Sequence, residues 1–289
     1  MWKQTVNSAL VRATGYQLSR APGHRLWRLP PPARERLLSA PVFILSAARS
    51  GSTLLRAIVG SHSRLYAPPE IHLAHLSACA ETAWIQTSMQ ALHLNQRELD
   101  YLLWDSVLAS ALRRSGKPTI VVKTPSNALI WDRLAECWPD ARFIFLLRHP
   151  AAAVSSLHAS WRPRWHPGED GTLAEAITKG RKYMGKVEQA RAALGGLTVR
   201  YEELTANPET VIGQVCKFIG VRFEPAMLDY GQFSSNHFKP GLGDASAKIR
   251  SGRIQPAVPP PRAADIPAEL RDICAAWGYL EPAGSLPRQ

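Results

Sequence analysis

The run Val42-Phe43-Ile44-Leu45-Ser46 empties into Ala47-Ala48-Arg49-Ser50-Gly51-Ser52-Thr53, and Leu54, Leu55, Ile58 and Val59 follow at helical spacing. A short apolar strand, a small-residue turn and a helix start therefore stand in direct succession. In that geometry the first N–H groups of the helix point into the turn without partners, and a glycine lets the backbone approach an anion closely. Ser52 and Thr53 add hydroxyl donors. The turn is predicted to cradle a phosphate-like group. It is not a Walker A loop, which reads G-x-x-x-x-G-K-[ST]: Ser46 holds the first glycine position and Ser52 the lysine position. The positive charge sits at Arg49 instead.

Three further segments, Thr119–Lys123, Arg142–Leu147 and Leu197–Tyr201, are short and rich in β-branched or aromatic residues. They read as strands buried on both faces. Helical patterns separate them, at roughly 53–60, 73–92, 96–114, 127–137, 149–160 and 172–194. A further helix is predicted from Pro208 to Ile219, with proline in its first turn and Gly220 beyond its end. Phe233 to Arg262, rich in Gly, Pro, Ser, Lys and Arg, reads as a long functional loop, and a last helix spans about Pro267 to Trp277. This alternation predicts an α/β fold: three layers, with a central parallel sheet between helices. Ligands of such sheets bind beyond the carboxyl ends of the strands. There the chain carries Arg49–Thr53, Lys123-Thr124-Pro125, Arg148-His149-Pro150 and Tyr201-Glu202-Glu203. All four sets are polar.

At 289 residues the chain can bury a substantial core as one large domain. A formal net charge of +12 favours polyanionic partners, but no nucleic-acid-binding motif is present. No apolar run is long enough for a membrane span. The N-terminus lacks the apolar core of a signal peptide, and Cys79, Cys137, Cys216 and Cys274 form no C-x-x-C pair. Reduced thiols and a cytoplasmic location are expected. Residues 1–30 interleave Trp2, Val6, Leu10 and Trp27 with Lys3, Arg12, Arg20 and Arg28. They predict a basic amphipathic helix packed on the domain, with weak contact to an acidic membrane surface as the alternative.

Arg49-Ser50-Gly51-Ser52-Thr53-Leu54-Leu55 resembles the 5′-phosphosulfate loop of sulfotransferases that use 3′-phosphoadenosine 5′-phosphosulfate (PAPS). The resemblance extends further. The strand ending in Leu147 is followed by Arg148-His149-Pro150, with Ser156 eight residues after the arginine. In that family such a pair binds the 3′-phosphate, a role suited to the two-pronged donor geometry of arginine. Val199-Arg200-Tyr201-Glu202-Glu203-Leu204 resembles the landmark whose tyrosine approaches the adenine. The basic loop near the C-terminus is weaker. Lys239-Pro240-Gly241-Leu242-Gly243-Asp244 is one residue short of the R-x-G-x-x-G-D form, and Lys248, Arg250 and Arg253 follow as candidates for the 3′-phosphate. The resemblance covers about residues 40–255. It implies a P-loop-like sulfotransferase domain over residues 40–289 behind a basic N-terminal extension, 1–39. Within that domain Arg49, Ser50, Gly51, Ser52, Thr53, Leu54, Arg148, Ser156 and Tyr201 would bind the nucleotide.

Sulfuryl transfer, like phosphoryl transfer, needs a base, cations and orientation; no metal is expected. Bacterial, Golgi and polyketide-tailoring members use a glutamate about twenty residues after the loop arginine, and Glu70 stands twenty-one after Arg49. The resemblance makes Glu70 the general base; on its own, the residue also reads as a helix-terminal carboxylate. His72 either orients the acceptor or packs. Arg49 and Lys123 are the candidate cations on the transferring group, with structural ion pairing as the alternative for Lys123. His75, Trp84, Trp104, Trp161, Trp165 and His166 are candidate walls of an acceptor pocket. A small-molecule or natural-product alcohol is the favoured acceptor, beside carrier-bound, lipid and peptide hydroxyls; no nucleic-acid partner is expected. The rival readings are a kinase-like phosphotransferase and a non-catalytic nucleotide- or nucleic-acid-binding protein.

Overall fold

The computed structural model describes residues 36–161, 170–232, 244 and 246–280. Five strands form one sheet: β1 (Val42–Ser46), β2 (Leu65–Tyr66), β3 (Thr119–Lys123), β4 (Arg142–Leu147) and β5 (Gly196–Arg200). They lie in the order β2-β3-β1-β4-β5, and every pairing is parallel. Side chains alternate between the faces with the period of two that a strand imposes. Phe43, Leu45, Ile120, Val122, Phe143 and Phe145 enter one core. Val42, Ile44, Val121, Ile144 and Leu146 enter the other. Because both faces are covered, the central strands β1, β3 and β4 read as nearly continuous apolar runs.

Helix α1 (Ser52–Gly60) is buried along its whole length. After β2 come α2 (Ala83–Ala91) and α3 (Gln96–Ser115), then α4 (Trp131–Cys137) behind β3 and α5 (Pro150–Ala159) behind β4. Helix α6 (Leu173–Ala193) leads to β5, followed by α7 (Tyr201–Ala206), α8 (Pro208–Ile219), α9 (Ala247–Arg250) and α10 (Arg271–Ala276). Capping boxes fix the starts of α3 (Asn95 with Glu98) and α6 (Thr172 with Glu175). The buried Asp105 of α3 anchors the chain entering the domain. Its carboxylate accepts from Leu37 N (2.7 Å), Leu38 N (3.1 Å) and Trp138 Nε1 (3.2 Å).

Three expectations need correction. Residues 73–92 are not one helix: a single 3-10 turn (Leu73–His75) gives way to an irregular stretch before α2. Asp100 takes the Ser77 hydroxyl (2.8 Å) and the Ala78 N–H (2.9 Å), so the backbone there bonds to a side chain rather than to itself. The predicted helix 127–137 is a 3-10 segment (Pro125–Ile130) followed by α4. Tyr201 opens α7 instead of ending β5. Among the labelled elements, three were absent from the sequence reading: the two-residue β2, the six-residue α7, and α9 inside the predicted long loop. All are too short to carry a clear periodic signal. The three cysteines beyond Cys79 are buried, and all four are free. Among the described residues no helix is long and apolar enough to cross a membrane. Residues 1–35 of the predicted N-terminal extension, Lys239–Gly243, Trp165 and His166 lie outside the described residues.

Candidate active site

The chain leaves β1 toward β2 and leaves its neighbour β4 toward β5, at the opposite edge of the sheet. These two exits diverge, which opens a crevice at the carboxyl ends of β1 and β4, the usual ligand position in open α/β sheets. The turn after β1 lies at its centre. Gly51, the residue before α1, sits at φ 85°, and Arg49 at φ 63°. The second value is uncommon for a residue with a Cβ and stores local strain. A Cβ on Gly51 would lie 2.2 Å from Cδ2 of Tyr201, so glycine is needed for conformation and for room. The first backbone bond of α1 runs from Leu55 N to Gly51 O (3.1 Å), and no side chain caps the helix. The N–H groups of Ser52, Thr53 and Leu54 are thus left outside the helical ladder. The Ser50 hydroxyl beside them is buried without a hydrogen-bond partner. At the other end of α1, Lys117 Nζ donates to Gly60 O (3.1 Å), His62 O (2.8 Å) and Leu65 O (2.8 Å). A cation there and an anion at the N-terminus both match the helix dipole.

Arg148, Ser156 and Tyr201 converge on this turn from β4, α5 and α7. Arg148 Nη1 donates to the Arg49 carbonyl at 2.7 Å, and its guanidinium lies 4.7 Å over the Tyr201 ring. Burial lowers the pKa of Arg148, against the pull of Tyr201 and Glu202. Arg49 Nε lies 3.4 Å from the Ser156 hydroxyl, so the two residues predicted to grip one phosphate share a cleft with the loop arginine. Behind them is a brace that sequence reasoning missed. Glu202 accepts from the His149 N–H (3.0 Å) and from the Tyr279 hydroxyl (2.7 Å), which joins the exit of β4 to the last described turn of the chain. Only the acidic residue after Tyr201 hinted at it.

Lys123 and Glu70 meet on the opposite wall. Lys123 is fully buried and pairs with the Glu70 carboxylate; its Nζ also lies 3.3 Å from Thr53 Oγ1. Burial lowers the Lys123 pKa, with Glu70 opposing. The segment carrying Glu70 is tied down at both sides. Arg56 Nη1 donates to the Pro68 carbonyl (3.1 Å), and Thr124 Oγ1 to the Ile71 carbonyl (2.9 Å). His72 Nε2 lies 3.7 Å from the second Glu70 oxygen and Nδ1 lies 3.4 Å from Ser126 Oγ, while the side chain stays half exposed. The reading of Lys123 left its partner open; the fold supplies Glu70. Buried Arg56 was not foreseen, because an arginine at helical spacing reads as a solvated face.

Lys248, Arg250 and Arg253 are exposed, and no described contact joins them to Arg148 or Ser156. The residue of this region that does enter the site is Asp244. Its N–H donates to Thr53 Oγ1 (3.1 Å) and its carboxylate lies 3.3 Å from Arg49 Nη2. Among the candidate pocket walls, Trp104 belongs to the core: it is buried, and its Nε1 donates to the Leu76 carbonyl at 2.6 Å. Trp161 stacks under Lys179, and Trp84 stands exposed on α2.

This fold is that of a known class. The profile of the Sulfotransferase family matches residues 41–225, and the chain belongs to that family. Nodulation protein NoeE of Sinorhizobium fredii is 27% identical over 212 residues, which cover 64% of this chain and 50% of that protein. A protein-tyrosine sulfotransferase of Drosophila melanogaster is 23% identical, over 66% of this chain and 40% of its own. The chain thus spans half or less of the length of these two relatives. Among solved structures, the sulfotransferase domain from the curacin biosynthetic pathway superposes with a TM-score of 0.61 at 23% identity, covering 85% of this chain and 99% of that one. The corresponding domain of the Synechococcus PCC 7002 olefin synthase gives 0.61 and 23%, with 89% and 100% covered. These two share the fold.

Proposed function

We propose that this protein transfers the sulfuryl group of PAPS to an acceptor hydroxyl, with Glu70 as general base. The observation that carries the reading is the meeting of Glu70 with Lys123 beside Thr53, across the crevice from Arg49, Arg148 and Ser156. One wall offers a carboxylate and a buried cation, the other a cluster suited to phosphate. The residues fit a bisphosphate nucleotide. The uncapped start of α1, the partnerless Ser50 hydroxyl and the half-buried Arg148 are donors suited to an anion. Arg148 and Ser156 would hold the 3′-phosphate, residues 50–54 the 5′-phosphate, and Tyr201 the adenine. PAPS supplies the sulfuryl group and departs as the bisphosphate PAP.

The chain's own residues do the rest. Glu70 accepts the proton of the acceptor hydroxyl. Lys123 and Arg49 supply positive charge where negative charge grows, the largest catalytic term in most transfer reactions. His72, hydrogen-bonded to Ser126 and half exposed, orients the acceptor at the mouth of the crevice. A small-molecule or natural-product alcohol fits that open mouth; a tyrosyl peptide is the other acceptor class, supported by the protein-tyrosine sulfotransferase relatives.

Two experiments test the reading. Saturating PAP should stabilise the protein by about 2.7 kcal/mol at a hundredfold excess over its dissociation constant, with AMP doing far less. A shift with Mg-ATP and none with PAP would put the kinase-like reading first. In parallel, labelled PAPS is offered with a phenol, an oligosaccharide, a 3-hydroxyacyl thioester and a tyrosyl peptide. With whichever acceptor is sulfated, Glu70→Gln should lose at least about 100-fold in turnover while binding PAP normally. Near-normal turnover would remove Glu70 as base.

A further inference from the structure

Arg148 is the first residue past β4, and its contacts with the Arg49 carbonyl and the Tyr201 ring are made by the side chain. The backbone that carries it is held one residue on. The His149 N–H donates to one oxygen of Glu202 (3.0 Å) and the Tyr279 hydroxyl to the other (2.7 Å). Glu202 follows Tyr201 as His149 follows Arg148. One carboxylate therefore clamps the two strand exits that present the guanidinium and the ring. The terminal torsion of a glutamate is broad, and a partner on each oxygen fixes its plane. Burial and then the Glu202 hydrogen bond push the Tyr279 pKa up, so the hydroxyl keeps the proton it donates. Tyr279 is itself delivered by an anchored turn. Arg200, at the end of β5, donates to the Trp277 carbonyl and lies 4.8 Å over the Tyr279 ring. The buried Trp277 donates through Nε1 to Glu188 of α6 (2.9 Å), and Tyr279 N donates to the Cys274 carbonyl (2.7 Å). The Tyr279 ring meets the buried His149 ring edge-on, with 5.1 Å between centroids.

We propose that Glu202 and Tyr279 are positioning residues for the nucleotide's 3′-phosphate: through the Glu202 carboxylate, the turn at 277–279 sets where Arg148 meets that phosphate, and so how sharply the protein distinguishes a nucleotide that carries it from one that does not. This deepens the assignment of Arg148 to the 3′-phosphate and rests on it. An arginine recognises phosphate by the direction of its N–H groups as well as by charge, so its backbone must be held. Glu202 does this without taking those N–H groups for itself, because its two oxygens are engaged by His149 and Tyr279. Its negative charge still acts on Arg148, opposing the effect of burial.

The test is a binding measurement on the full chain and needs no acceptor. Calorimetry gives the affinities for PAP and for AMP, which lacks the 3′-phosphate. Tyr279→Phe removes one hydroxyl and keeps the ring. It should weaken PAP about three- to tenfold, the net worth of one hydrogen bond, and leave AMP within about twofold. In an Arg148→Ala background the same substitution should change PAP affinity no further, because the residue it acts through is gone. Should Tyr279→Phe not fold, Glu202→Asp carries the same test, since it keeps the charge and shortens the reach between the two partners. An unaltered PAP-to-AMP ratio, or an equal loss of PAP affinity in both backgrounds, overturns the proposal. A brace that serves stability alone gives the unaltered ratio together with a lower unfolding midpoint. Failure of the parent reading shows in a different protein: Arg148→Ala by itself would then bind PAP as tightly as the wild type.

Discussion

On the β4 side of the crevice, Arg49, Gly51, Arg148, Ser156 and Tyr201 interlock: one side chain holds the next residue's carbonyl, and a ring fills the space where a glycine lacks a Cβ. On the β3 side, residues 67–91 cross the mouth with one 3-10 turn and a helix, α2, that buries none of its residues. The root of this second wall is fixed where Arg56, Thr124 and Lys123 hold Pro68, Ile71 and Glu70, and its middle where Trp104 and Asp100 hold Leu76, Ser77 and Ala78; α2 beyond them is exposed. The contrast follows from what each side would bind. A wall shaped to one nucleotide tolerates little variation in backbone or charge. A wall that meets an acceptor needs a fixed catalytic root and is otherwise free to vary, as loops carried on a rigid scaffold are.

Substitutions can break this division. Lys123→Met has the largest expected effect. Removing a preorganised charge from the catalytic wall should cost about 100- to 1000-fold in turnover, with PAP affinity little changed. If PAP affinity collapses instead, Lys123 belongs to the nucleotide wall and the two sides are not separable. Gly51→Ala should act through the other wall. Placing a Cβ at φ 85° against Tyr201 combines left-handed strain with overpacking, about 2–3 kcal/mol of stability together. Chemical denaturation measures it, and an unaltered unfolding midpoint would show that the wall yields where it is described as tight. Arg148→Ala should weaken PAP binding by about 1.5–3 kcal/mol, read by calorimetry; unchanged affinity would refute its assignment to the 3′-phosphate.

The same division governs what could be read from sequence. The long strands and the turn between β1 and α1 were legible because local rules dictate them. Residues 42–46, 119–123 and 142–147 were found with their observed ends, since parallel strands buried on both faces must be apolar throughout. Arg148 and Ser156 were read as a pair from their resemblance to a family motif, and both come to lie against Arg49. The acceptor wall was misread as a continuous helix, because Asp100, more than twenty residues away, takes the backbone and side-chain donors of Ala78 and Ser77. Long-range capture of that kind leaves no periodic trace. Arg56 and Asp105 were missed for a related reason: each is a charged residue whose partners come from distant segments, and nothing in its local pattern distinguishes it from a solvated one. Glu202 was placed beyond a strand end, but its partners His149 and Tyr279 were not foreseen.

Asp244 sharpens the comparison at its edge, with the smallest expected effect. It approaches the nucleotide wall from the basic segment near the C-terminus, and its carboxylate lies against Arg49 while its N–H holds Thr53. Both contacted groups are ones assigned to the donor. The Arg49 pair is partly exposed, and pairs of that kind contribute about 0.2–1 kcal/mol. Asp244→Asn keeps the oxygen that accepts from Ser246 N and removes the negative charge. If the carboxylate competes with the donor's own anion for Arg49, the variant should bind PAP about twofold to fivefold more tightly, with the gain shrinking at high salt. If it serves instead to hold Arg49 in its strained conformation, PAP binding should weaken. Calorimetry at two salt concentrations separates these outcomes. The first makes Asp244 a charge the donor must displace, and the second makes it a structural part of the nucleotide wall.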